Sequence, residues 1–303
     1  IVQPGVGQRL LLAAGRGAII RKIDLREGQG LSTPSVIDGD GDGIADFIYA
    51  GDLTGNLWRF DIRDPNPDNW TYAKLFTAKD ASNNAQAITS APQVTRHPKR
   101  NPDTVSGTVL DEQTYMVLFG TGKYLGATDV SSTSQQTFYG VWDDVDADSC
   151  IGVSTGVITS ACFSRTDLQA QIFCPGSPVD PTCQAAGPSG PVTSAGSFTA
   201  GGKVFRVTSK REVDYEGGVS TPPKRGWYLD LKEPGERVPG DSLIVGSRVV
   251  FTSILPDPDP CKFGGTSWVN ILDAVTGKRL AASFLGGAIP EAPVTETTTG
   301  FAA

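Results

Sequence analysis

Apolar and polar positions along this chain alternate, or run in short blocks closed by turn residues. Blocks at 8–14, 18–23, 45–50, 57–61, 114–119, 137–142, 203–209, 226–231, 248–253 and 267–272 are rich in β-branched and aromatic residues, with Gly, Asn or Asp between them. That composition suits a pleated, half-buried surface, and turn residues at both ends make each block a strand. An amphipathic helix needs apolar residues at three- and four-residue spacing over about a dozen positions. Few windows offer this, and 165–172 is the best place for a short one. The pattern predicts an all-β, mostly antiparallel fold.

A weak repeat sharpens the expectation. GAIIRKIDLREG at 17–28, GDLTGNLWRFD at 51–61 and SWVNILDAVTGKR at 267–279 each join a strand of large apolar residues to an Asp and a turn. Such units resemble the blades of quinoprotein-like β-propellers, which repeat four-stranded sheets of about 40–50 residues radially. The 303 residues hold roughly six or seven such lengths, and with loops subtracted about four or five blades are expected. The reading is therefore a modified, partial β-propeller over 1–303, the C-terminal part of a larger ring. The first residue, Ile1, fits a fragment or a processed chain. Residues 143–197 break the pattern with four of the five Cys and many Pro, Ser and Gly, and read as an inserted, Cys-rich excursion. Residues 291–303 are Thr-, Ala- and Pro-rich and read as an extended or disordered tail.

Composition excludes several classes. The 36 Gly and 21 Pro, 57 of 303 residues, exclude a helical bundle, since both break helices. With 33 acidic and 26 basic groups the net charge is −7, which argues against a nucleic-acid surface. The one histidine, His97, excludes a multi-histidine metal site and, in the polar run 95–100, reads as a surface residue. No C-x-x-C pair occurs, which weakens zinc and thioredoxin-like readings. Cys150 and Cys162, and Cys174 and Cys183, flank loops rich in small and turn residues. Two local disulfides are expected, suiting an oxidising compartment; the alternative is five buried thiols in a cytosolic protein. Cys261 is then unpaired within this chain, or paired with a segment outside it. No apolar run approaches the roughly 20 residues that span a membrane, and no signal peptide is visible.

The strongest chemical signal is DGDGDGIAD at 38–46. Alternate residues of a tight loop can point inward together, so Asp38, Asp40 and Asp42 aim three carboxylates at one point. Asp46 closes the shell, and Ile44 adds its backbone carbonyl while its side chain packs into the core. Ca²⁺ takes six to eight oxygen ligands at about 2.3–2.6 Å in a flexible shell, whereas Mg²⁺ demands stricter octahedral geometry. The loop is not an EF-hand: Tyr49 stands where that motif needs Glu, and strands rather than helices flank it. A solvated acidic turn would leave four carboxylates repelling one another. A second cluster, Asp143, Asp144, Asp146 and Asp148, lacks this spacing and reads as a solvated loop, as do Asp257 and Asp259.

Catalytic signals are thin. No Ser sits in a nucleophile elbow. Gly120, Thr121, Gly122 and Lys123 look like part of a phosphate loop, but Val117 and Tyr124 stand where that motif needs Gly and Ser or Thr. The five Trp read as packing between blades rather than as a sugar platform.

Several segments together resemble the C-terminal domain of PilY/PilC-type type IV pilus proteins. They are STP at 32–34, the 38–46 loop, YAGDLTGNLWRFD at 49–61, QAITSAP at 86–92, FGTGKYL at 119–125, YGVWD at 139–143, RGWYLD at 225–230, GERV at 235–238 and PCKFGGTSW at 260–268. They run in order over nearly all the chain; Ala87 departs from the family's usual Pro. The resemblance implies a modified β-propeller and a non-enzymatic pilus biogenesis factor and tip-associated adhesin. It implies Ca²⁺ held by Asp38, Asp40, Asp42, the Ile44 carbonyl and Asp46, regulating pilus extension against retraction and hence twitching motility and surface attachment. It implies minor pilins and host-surface receptors as partners. The implied location is the pilus tip or outer-membrane surface of a Gram-negative bacterium, reached through the periplasm. Some relatives bind integrins through an Arg-Gly-Asp tripeptide, which this sequence lacks. The rival readings are a Ca²⁺-dependent carbohydrate-binding adhesin and a quinoprotein-like dehydrogenase.

Overall fold

The computed structural model describes residues 9–13, 19–98, 114–145, 150, 152–158, 160–175, 181–183, 197–200, 203–218, 221–257, 259, 265–280 and 295–299. Strands β1 (Arg9–Ala13) and β2 (Ile19–Asp24) pair as a hairpin. Strands β3 (Ser35–Ile37), β4 (Phe47–Gly51), β5 (Asn56–Asp61) and β6 (Thr71–Thr77) form an antiparallel sheet in chain order. The second sheet contains β7 (Gln93–Arg96), β8 (Thr114–Gly120), β9 (Thr137–Asp144), β10 (Gln169–Gln171) and β13 (Gly226–Asp230), in the order β10-β13-β9-β8-β7. The third sheet contains β11 (Ser197–Ala200), β12 (Lys203–Arg206), β14 (Leu243–Val245), β15 (Arg248–Pro256), β16 (Gly265–Asp273) and β17 (Thr295–Thr299), in the order β11-β12-β17-β16-β15-β14. The only helical turns among the described residues are short 3₁₀ pieces.

The second sheet packs on both faces. On β8, Tyr115, Val117 and Phe119 meet Phe47, Tyr49, Leu57 and Phe76 of the first sheet. The alternate residues Met116 and Leu118 join Trp227, Val249, Phe251 and Leu272 on the other side. A two-residue period sends neighbours to opposite faces, so a strand covered on both sides reads as a continuous apolar run. Each such buried side chain contributes about 1.5–3 kcal/mol. A third core places Ile23 and Leu25 against Ile48, Trp58 and Phe60.

Two of the three repeat units, 51–61 and 267–279, carry a hydrogen-bonded Asp turn. The Asp52 carboxylate accepts from Thr54 N and Oγ1 (2.8 and 2.7 Å), from Asn56 N (3.0 Å) and from the Trp58 indole (2.9 Å). Asp273 likewise accepts from Thr276 N and Oγ1 (2.8 and 2.7 Å). Each turn needs its glycine. Gly55 (φ +87°) would set a Cβ 2.8 Å from the Ala78 carbonyl, and Gly277 (φ +66°) would set one 2.3 Å from the Trp227 ring.

Every expected apolar block lies on a strand, with ends displaced by up to a few residues. One expectation is corrected: residues 165–172 hold a 3₁₀ turn (Arg165–Asp167) and then β10, because Gln169, Ala170 and Gln171 pair in parallel with β13. The described residues form four sheets, three of four to six strands and one hairpin, and strands distant in sequence share sheets. Residues 295–299 of the tail are extended, and the wholly polar β17 that they form lies between β12 and β16. Strand β6 has no plain apolar block in the sequence because Lys74 interrupts its run; Lys74 is buried, ion-paired with Glu27 and set 5.6 Å from the Trp58 ring centroid.

Tyr139 is fully buried, and burial pushes its hydroxyl up to about 12. It donates to Gln86 Oε1 (2.6 Å) and shares the Lys79 carbonyl (2.9 Å). The unfolded chain ionises this phenol near pH 10, whereas the folded protein resists ionisation until about 12. Its stabilising contribution is therefore complete below pH 10 and is lost as the pH rises to about 12. Urea titrations at stepped alkaline pH should show this decline, with a delayed phenolate absorbance in the folded protein.

Candidate metal centre

The acidic loop is the connection of the β3–β4 hairpin. Ile37 pairs with Phe47, and Asp46 N donates to the Ile37 carbonyl (2.7 Å), so both ends are clamped. Inside, the Asp38 carboxylate accepts from Gly41 N (2.7 Å) and Gly43 N (2.8 Å). Asp40 accepts from Asp42 N (3.1 Å), and Asp42 from Ile44 N (2.7 Å). These are local Asx turns, in which a short carboxylate side chain replaces a backbone acceptor.

Asp38, Asp40 and Asp42 are exposed, and one carboxylate oxygen from each lies within 4.8 Å of the others. Asp46 is not in this group: it is nine-tenths buried, and its Oδ2 accepts from Gly39 N (2.6 Å). Ile44 is also placed differently from expectation. Its side chain is 67% exposed rather than packed in the core, because the Asx turn at Asp42 holds it at the loop surface and the apolar interior begins at Phe47. Three hard oxygen donors converging on an open approach fit a Ca²⁺ ion, with backbone oxygen and water to complete the shell.

The loop is tied to the next sheet by a residue without a local sequence signal. Arg96 on β7 donates to the Gly39 carbonyl, 57 positions away. Ser35 Oγ beside it donates to the Pro92 carbonyl.

The second acidic cluster is not a solvated loop where it is described. Asp143 and Asp144 end β9 and are buried; Asp146 and Asp148 lie outside the described residues. Asp143 Oδ1 pairs with Arg59 Nη1 (2.6 Å), and its Oδ2 accepts from the Tyr49 hydroxyl (2.8 Å). Arg59 Nη2 donates to the Cys150 carbonyl (2.8 Å). Burial, reinforced by the Asp143 charge, holds the Tyr49 hydroxyl well above its ordinary value, so it remains a donor. This cluster joins β4 and β5 to β9 and the start of the insertion.

His97 is also buried rather than at the surface. It stacks 4.8 Å from Trp142 and meets the edge of Tyr215 at 4.4 Å, because Thr114 and the aromatic end of the second sheet enclose it. Disulfides join Cys150 to Cys162 and Cys174 to Cys183; Cys261 lies outside the described residues. The insertion also returns to the scaffold. Val153 exchanges backbone hydrogen bonds with Tyr72 (2.9 and 3.0 Å), and Cys162 N and Phe163 N donate to the Lys74 and Leu75 carbonyls (2.9 and 3.0 Å). It therefore covers the outer edge of β6.

Face-to-face sheets, Asp-Thr-Gly turns and a Cys-rich insertion define a modified β-propeller that carries an acidic hairpin loop. Residues 10–173, just over half of the chain, match the family model of the PilY1 beta-propeller domain. The type IV pilus biogenesis factor PilY1 of Pseudomonas aeruginosa PAO1 is 32% identical over 300 residues, covering 89% of this chain and 23% of that protein. A PilY1 homolog of Xylella fastidiosa is 30% identical over 290 residues, covering 86% of this chain and 16% of that protein. The crystal structure of the Pseudomonas aeruginosa PilY1 C-terminal domain superimposes with a TM-score of 0.70 at 27% identity, covering 96% of this chain and 61% of that one. The chain belongs to the PilY1 β-propeller family. It spans less than a quarter of the curated relatives' length. Among the described residues, no helix is long and apolar enough to cross a membrane, which leaves strand-built spans unaddressed.

Proposed function

We propose that this chain acts in type IV pilus biogenesis as a Ca²⁺-binding, non-enzymatic module that biases pilus extension against retraction. It would work at the pilus tip or outer-membrane surface, against minor pilins and surface receptors. The observation that carries the reading is the convergence of Asp38, Asp40 and Asp42 on one point in a member of this family. The relatives' identity as type IV pilus biogenesis factors supports the pilus role.

When bound, Ca²⁺ would supply the charge that lets these carboxylates stay together. At 4.8 Å each carboxylate pair repels by about 1 kcal/mol in water and about 3 kcal/mol near a protein surface. Asp38, Asp40 and Asp42 would hold the ion, together with the Ile44 carbonyl and Asp46. Asp46 also braces the loop through Gly39 N. Arg96 connects the same Gly39 to the second sheet, giving the loop's conformation a route to the neighbouring blade.

Calorimetric titration with Ca²⁺ tests the ligand set. Asp40→Ala and Asp46→Ala should each weaken binding by about tenfold or more, from the loss of a ligand charge or of its support. Ca²⁺ at about a hundred times its Kd should stabilise the protein by about 2.7 kcal/mol. Equal affinity in the wild type and Asp46→Ala would remove Asp46 from the site.

A further inference from the structure

We propose that Arg96 of β7 is a positioning residue for the acidic hairpin loop, and that through it Ca²⁺ binding tightens β7 against the first sheet. The coupling rests on the calcium reading above and deepens it.

Gly39 is the fixed point of the loop. Asp38 and Asp40 on either side of it are exposed, whereas Gly39 itself is buried. Its N–H lies in the peptide that follows Asp38 and donates to Asp46 Oδ2 (2.6 Å). Its carbonyl lies in the peptide that leads into Asp40 and accepts from Arg96 Nη2. Asp46, beside β4, therefore holds one peptide plane, and the second sheet holds the next. Planar peptides leave only two soft dihedrals per residue, so fixing both planes fixes the Gly39 backbone. The directions from which Asp38 and Asp40 approach their common point follow from it. Strand β7 is joined to the first sheet ahead of its start as well, where Ser35 Oγ donates to the Pro92 carbonyl. At its far end the junction is the loop itself.

A cation tied to a loop of three carboxylates can play two roles, and they have opposite signs. As a counter-charge, Arg96 would compete with Ca²⁺, and removing it would strengthen binding. As a positioning residue it preorganises two ligands, and removing it would weaken binding, since site rigidity helps to set the affinity of oxygen-ligand Ca²⁺ sites. The geometry favours positioning. The guanidinium bonds the backbone of a buried glycine, and a buried carbonyl stripped of its donor is costly. Linkage then makes the effect reciprocal: if the bond from Arg96 to Gly39 raises the affinity for Ca²⁺, Ca²⁺ strengthens that bond by the same factor.

The test pairs calorimetric Ca²⁺ titration with hydrogen exchange, on the whole chain, in Ca²⁺ and in EDTA. Arg96→Ala should weaken Ca²⁺ binding by about tenfold, the lower end of what outer-shell partners contribute to metal affinity. Arg96→Lys keeps the charge and a donor, and should bind more tightly than Arg96→Ala. Arg96→Ala combined with Asp46→Ala should lose less binding free energy than the two single losses added, because both act on Gly39. In the wild type, Ca²⁺ should slow exchange of the amides at 93–97. Arg96→Ala should abolish that slowing even at saturating Ca²⁺. Equal affinity in Arg96→Ala overturns the proposal, and tighter binding overturns it by making Arg96 a counter-charge. Wild-type binding without slower exchange at 93–97 also overturns it, and this outcome decides the matter if Arg96→Ala fails to fold. A wild type that takes up no Ca²⁺ overturns the calcium reading along with it, so the two failures are distinct.

Discussion

Asp143→Leu is expected to cost about 3–5 kcal/mol of folding stability, because it leaves the Arg59 guanidinium buried without its counter-charge. Arg59 is 5% exposed and Asp143 is fully buried, so water cannot take over the lost interaction. The Tyr49 hydroxyl loses its acceptor in the same step. The double variant Asp143→Leu with Arg59→Met removes the stranded charge and replaces the pair with apolar volume, so it should recover much of the loss. Urea unfolding of the wild type, both single variants and the double variant gives the coupling directly. Additive losses across that cycle would mean that the two groups do not act as a pair. Because Tyr49 leads out of the acidic hairpin on β4, calcium titration of Asp143→Leu under folding conditions also asks whether the cluster supports the loop.

Replacing both Cys150 and Cys162 by Ser is expected to cost about 3 kcal/mol, from restoring freedom to the unfolded chain across a 12-residue separation. The consequence is local as well. The disulfide closes the segment that covers the edge of β6, and Arg59 grips the Cys150 carbonyl at its start. Without the bond, the amides of β6 and of residues 152–163 should exchange faster than those of β8 and β9, which lie inside the second sheet. An uncovered strand edge also invites pairing with a second chain, so the variant should self-associate more readily. The checks are thermal unfolding, hydrogen exchange and sedimentation under oxidising conditions. Unchanged β6 protection would show that the backbone bridges hold the segment without the covalent tie.

Much of the fold is legible in neighbouring residues. Short apolar blocks became strands, the continuous run at 114–119 because both faces of the second sheet are covered, and two of the repeat units became turns because Asp52 and Asp273 bind donors only a few positions ahead. Other strands lack such a signal. Thr295–Thr299 has no apolar residue, and its place is set by the free edges of β12 and β16. The burial of His97 depends on Trp142 and Tyr215, which approach from other parts of the chain.

The same division holds at the candidate site. Alternating Asp and Gly over 38–46 determine by themselves that three carboxylates meet, since Asx turns close over two to five residues and Gly41 and Gly43 supply the positive φ that reverses the chain. Only the tertiary structure decided the rest. It turned Ile44 outward, set Asp46 as a brace, brought Arg96 to Gly39, and converted Asp143 from one acid in a polar run into the buried partner of Arg59, 84 residues away. The physical reason is range: hydrogen bonds within a turn are encoded by adjacent residues, whereas a buried charge finds its partner only when two sheets pack face to face.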